Sequence, residues 1–231
     1  MTTGSQFVES IKTGNKALFD ASRMNVRAYF ESAPSKEALV EHFVGRMVNE
    51  RMNMVEIAAA IAAMPASASV EELALLTKQA HDEANHFRMV KEVIEHITGE
   101  TLDVEAAIAA ELAKPTAKGA ALLAKYEATN DAAALAAYQL VAEGRAEAVW
   151  NEMAACIEDE YVARTYAKIA SDEGFHAEIG GLKLAKLAVT AEEQARVSAL
   201  VAEMRKDLFA ISCMNTTATA EAVATFEAAY A

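Results

Sequence analysis

The chain has 231 residues, 53% of them hydrophobic and 24% charged, which excludes a disordered chain and provides enough apolar surface for one sizeable core. Acidic residues outnumber basic ones 34 to 21, giving a formal charge of −13, a field that repels nucleic-acid phosphates and anionic membranes and attracts small cations. With 3 Pro and 9 Gly, turn-forming residues are too scarce for a loop-rich or all-β chain, so long helices are expected.

Cys156 and Cys213 form no Cys-x-x-Cys pair, which argues against a disulfide framework and against a rubredoxin-type iron site. Residues 1–14 carry neither the basic region nor the apolar run of a signal peptide. The longest apolar stretch, 57–64, is far shorter than the roughly 18 residues that a membrane span needs. The expectation is a soluble cytoplasmic protein with neither nucleic-acid nor membrane partners.

In chain order, Pro34 closes a first helical segment and a long helix follows over 36–64, stopped by Pro65. Ser69 with Glu72 forms a capping-box pattern that opens a helix over 70–97, ended by Thr98 and Gly99. Two shorter helical pieces, 104–113 and 118–129, flank Pro115. Asp131 caps a helix over 132–157, and another runs over 160–189. Thr190 with Glu193 repeats the capping-box pattern before a helix reaching about 211, and a weaker helix follows from 218.

At about 1.5 Å per residue the four long helices are roughly 39 to 45 Å long, the scale of a four-helix bundle. The links at 65–69 and 158–159 are short enough to force two antiparallel hairpins, and the 98–131 link is long enough for a crossover. The expected fold is therefore all-α: a ferritin-like four-helix bundle of two hairpins, with extra terminal helices. The predicted organisation is a single domain over 1–231, with a four-helix core at 36–189 and flanking helices at 1–34 and 190–231.

The second and fourth long helices carry Asp82-Glu83-Ala84-Asn85-His86 and Asp172-Glu173-Gly174-Phe175-His176. Glu and His three residues apart lie on one helical face, so both side chains of a pair can reach one metal ion. The two runs are 90 residues apart, which suggests a repeated hairpin. A two-metal site also needs a carboxylate from each remaining helix: Glu50 or Glu56 on the first, Glu143 or Glu147 on the third. Ligands of one cluster must share a level of the bundle, and the helix midpoints select Glu50 and Glu143. His42, His81 and His96 fall outside the pattern and are expected to be exposed. Met47, Met52, Met54, Met64 and Trp150 are expected in the core.

Glu50, the Glu83/His86 pair, Glu143 and the Glu173/His176 pair together resemble the ferritin-like di-iron carboxylate superfamily, over about 36–189. This superfamily includes ferritins, rubrerythrins, aldehyde-deformylating oxygenases and multicomponent monooxygenases. The resemblance implies two iron ions cycling between Fe2+ and Fe3+, with Glu83 and Glu173 bridging. Glu50 and His86 would complete one ion's protein ligands, and Glu143 and His176 the other's. The Asp-Glu-x-x-His form is most similar to the oxygenases, which implies that Asp82 and Asp172 orient ligand histidines. Glu147, one turn beyond Glu143, is a further candidate near the centre, with the helix surface as its other reading.

The function expected from this resemblance is an oxygenase or oxidase that activates O2 and oxidises a small organic substrate. No nicotinamide or flavin motif is present, so electrons would come from a separate reductase or ferredoxin. One alternative is iron handling or peroxide reduction of the ferritin or rubrerythrin kind. Another is a non-catalytic partner subunit of an oxygenase. A large hollow cage would mark storage; a monomer or homodimer would mark the enzyme.

Overall fold

The computed structural model describes residues 2–114, 122, 125, 126 and 131–230, and these contain helices and no strand. The helices are α1 (Gly4–Gly14), α2 (Lys16–Glu31), α3 (Lys36–Ala62), α4 (Val70–Thr98), α5 (Val104–Leu112), α6 (Ala132–Cys156), α7 (Glu160–Leu187), α8 (Ala191–Asn215) and α9 (Ala220–Tyr230). The expected piece at 118–129 lies outside the described residues apart from Leu122, Lys125 and Tyr126.

The long-helix ends follow local chemistry. Ser35 accepts from Ala38 N and Ser69 from Glu72 N, while Asp131 accepts from Ala133 N and Ala134 N. Each satisfies a backbone donor that the first helical turn leaves open. Thr190 and Glu193 form the reciprocal capping box that their spacing predicts. Gly99 closes α4 at φ 75°, a left-handed conformation that costs glycine least.

The first segment differs from expectation: it is two helices, separated at Asn15. Arg205 of α8 donates from Nε to Asn15 Oδ1 at 2.9 Å and from Nη2 to Ile11 O at 3.3 Å. Tyr230 of α9 donates to Gly14 O at 2.5 Å and accepts from Leu18 N at 3.1 Å. Tyr230 therefore takes the Gly14 O and Leu18 N that a continuous helix would pair with each other, while Ile11 O keeps Asn15 N and adds Arg205.

The chain falls into two compact units, one within Met1–Ala33 with Leu122–Ala231, the other within Pro34–Ala121. In the first, α1, α2 and α8 pack on the α6–α7 hairpin and α9 packs on α2, around a core that includes Leu18, Leu140, Leu184, Met204 and Phe226. Each such fully buried side chain contributes roughly 1.5–3 kcal/mol relative to exposure. Small residues let α6 and α7 approach closely: a Cβ on Gly180 would meet Leu140 N at 2.6 Å and Ala136 O at 2.9 Å. Phe209 and Phe226 stack at 4.2 Å and fasten α9 to α8.

In the second unit, α3 and α4 pair around Phe43, Met47, Leu76, Val90, Val93 and Ile94. The α5 helix meets the first half of α3, where Glu111 approaches the position of Gly45 and Lys114 pairs with Glu41 and Glu111. Met47 is in the core as expected, but Met52, Met54 and Met64 are only half-buried. Cys156 and Cys213 are free thiols, and no helix of the described residues is long and apolar enough to cross a membrane.

Candidate metal centre

In the α3–α4 hairpin, Glu50, Glu83 and His86 are 2%, 0% and 0% exposed. Each offers one ligand atom, and these atoms lie within 4.8 Å of one another. His86 Nδ1 is 3.7 Å from Glu50 Oε2 and 3.7 Å from Glu83 Oε2. Those distances are too long for hydrogen bonds but suit three donors turned toward one ion. Glu56, the alternative on α3, is half-buried and joins neither group of candidate ligands found among the described residues.

In the α6–α7 hairpin, Glu143, Glu173 and His176 likewise offer atoms within 4.8 Å of one another. Glu173 and His176 are buried and Glu143 is half-buried. Here the histidine ring is closer to its carboxylate, with His176 Nδ1 at 3.1 Å from Glu173 Oε2. The adjoining turns are apolar: Met47 precedes Glu50 by three residues, Val90 follows His86 by four, Leu140 precedes Glu143 by three and Ile169 precedes Glu173 by four, all buried.

The remaining expected residues are placed as follows. Asp82 is buried and ion-paired with Lys78; Asp172 is half-buried and ion-paired with Lys168. Glu147 is exposed, with its carboxylate over Gly174, where an added Cβ would meet Glu147 Cδ at 2.9 Å. Burial, and then the charge of Glu178, raise the Glu147 carboxyl above its ordinary 4.5. His81 and His96 are exposed, while His42 is half-buried against Phe43.

Two features were not drawn from the sequence. The repeated run is longer than Asp-Glu-x-x-His, because Lys78 and Lys168 extend it to Lys-x-x-x-Asp-Glu-x-x-His at the same 90-residue spacing. The i,i+4 spacing of lysine and aspartate was its visible signal. Arg46 also stands one turn before Glu50 and donates from Nη2 to Glu50 Oε1 at 3.0 Å.

The donor sets fit a metal. Glu50 Oε2 is buried without a hydrogen-bond partner among the described residues, and buried carboxylates are costly unless paired or coordinated. Carboxylate oxygens with few imidazoles suit divalent first-row ions. Comparison with protein-family models, with curated proteins and with solved structures finds no match to this chain.

Proposed function

We propose that the two triads are the halves of one carboxylate-bridged di-iron centre, held in a ferritin-like bundle of α3, α4, α6 and α7 within one domain, and that the protein is an O2-dependent oxygenase or oxidase. The observation that carries this reading is the buried Glu-x-x-His pair on each of two hairpins, each joined by a glutamate from the other helix of its hairpin. The same layout of a Glu and a Glu-x-x-His per hairpin defines carboxylate-bridged two-metal bundles.

When bound, ferrous ions supply the electrons and open coordination positions that O2 reduction needs. The chain's own part is to hold and insulate them. Glu50, Glu83 and His86 would provide one set of donors, and Glu143, Glu173 and His176 the other, with Glu83 and Glu173 as the carboxylates that would be shared. The buried Met47, Val90, Leu140 and Ile169 keep the adjoining turns dry, which strengthens every charge interaction among the ligands. Electrons arrive from an external reductase or ferredoxin, and the substrate is a small organic molecule.

Anaerobic loading with ferrous iron tests the proposal. About two irons per chain are expected, with a binuclear Mössbauer signature and an optical change on exposure to O2. A chain that retains no iron, or one mononuclear ion, removes the reading. A large hollow assembly that accumulates iron would replace it with iron storage.

A further inference from the structure

Glu50 divides its two oxygens between different neighbours. Oε1 accepts from Arg46 Nη2 at 3.0 Å, and Oε2 faces His86 Nδ1 at 3.7 Å without a hydrogen bond. The carboxylate is almost wholly buried and the Arg46 side chain is 22% exposed. A guanidinium is permanently charged and cannot be neutralised by losing a proton. In the metal-free chain it therefore supplies the positive charge that this buried carboxylate requires. A divalent ion seated among Glu50, Glu83 and His86 would place a second cation beside the same carboxylate, in a setting where charges are weakly screened.

We infer that Arg46 is a cationic placeholder: it holds Glu50 in position while metal is absent, and by competing for that carboxylate it sets how tightly the Glu50/Glu83/His86 triad binds its ion. The inference rests on the metal-centre reading and adds a positioning residue to it. It also predicts an opposition between stability and affinity, since a cation that stabilises the metal-free state more than the metal-bound one weakens metal binding.

The test compares full-length wild type with R46M, R46Q and R46K, using Co2+ without oxygen as the probe. Affinity is read by calorimetry, ligation by cobalt absorption, and stability by thermal unfolding with and without metal. R46M and R46Q should bind Co2+ at least about tenfold more tightly at this triad, a difference of about 1.4 kcal/mol. Both should unfold at lower temperature than wild type without metal, with the gap narrowing when metal is saturating. R46Q keeps a donor for Glu50 without the charge, so it provides the affinity measurement even if R46M does not fold. R46K restores the charge and should return affinity toward wild type. Unchanged or weaker binding in R46Q, beside wild type that binds Co2+, overturns the placeholder role and leaves the metal centre standing. Failure of both wild type and R46Q to bind Co2+ overturns the metal-centre reading and the inference with it.

Discussion

The α3–α4 and α6–α7 hairpins carry the same Lys-x-x-x-Asp-Glu-x-x-His run, and each adds one glutamate from the other helix, yet they are built differently. In α6–α7 the helices approach closely at Gly180, where an added Cβ would meet backbone atoms, and α1, α2 and α8 pack on them. In α3–α4 only α5 adds cover among the described residues of the unit, and Gly45 faces the Glu111 side chain of α5. The triads differ accordingly. His176 is within hydrogen-bond distance of Glu173, whereas His86 stands back equally from two carboxylates, one of them held by Arg46. Ligand spacing and the first charge partner of a ligand are therefore both local properties of a helix, while the burial that gives them weight is a property of packing.

The largest expected effects fall on the ligands. On the proposed di-iron reading, Glu83→Ala and Glu173→Ala should each weaken binding of both metals by about 100-fold or more, because a bridging carboxylate would serve two ions, whereas His86→Ala should remove mainly one. Metal counting after gel filtration checks this. If Glu83→Ala keeps two irons, the α3–α4 triad is not part of the centre and the parallel between the hairpins is superficial.

Next in size is the contrast between two glycines. Gly180→Ala puts a Cβ against backbone atoms that cannot move aside, and should cost about 1–3 kcal/mol in chemical denaturation. Gly45→Ala meets only the end of the Glu111 side chain at 3.4 Å, so the helix-propensity gain should prevail, stabilising by up to about 1 kcal/mol. Equal costs at both positions would mean that the two hairpins are packed alike.

A smaller difference is expected within α7 itself. Gly174→Ala crowds the partly desolvated carboxylate of Glu147, a residue exposed enough overall for its side chain to swing away, so stability should change by less than about 1 kcal/mol while Gly180→Ala is disruptive.

The smallest effect is the pH dependence contributed by Glu147. Its carboxyl is raised above 4.5 in the folded chain by burial and then by Glu178, so the folded state binds the proton more tightly than the unfolded state. That contribution is fully present below 4.5 and is lost as pH rises through the raised value. Glu147→Gln should therefore stabilise the protein at pH 7 relative to wild type and flatten its stability profile above pH 4.5. The difference, discounted for solvent screening, is no more than about 0.5 kcal/mol. Thermal unfolding across that range checks it, and an unchanged profile would mean that Glu147 is not desolvated by α7.

The sequence by itself determined the features that depend on near neighbours. Ser69, Gly99, Asp131 and Thr190 mark helix ends because a cap involves atoms within a few residues. Glu83 with His86, and Glu173 with His176, are brought together by helical periodicity alone. The positions of Glu50 and Glu143 beside them followed from helix midpoints because two short connections fix the register of each hairpin. Only the tertiary structure decided what depends on partners remote in the chain. Arg205 and Tyr230 divide the first segment at Asn15, and both come from helices near the other terminus. Met52, Met54 and Met64 are only half-buried while Met47 is in the core, a difference in burial that hydrophobicity along the chain does not encode. Arg46 is the intermediate case: its i,i+4 spacing to Glu50 is written in the sequence, but its weight comes from burial, which turns an ordinary helical ion pair into the charge balance of a candidate ligand.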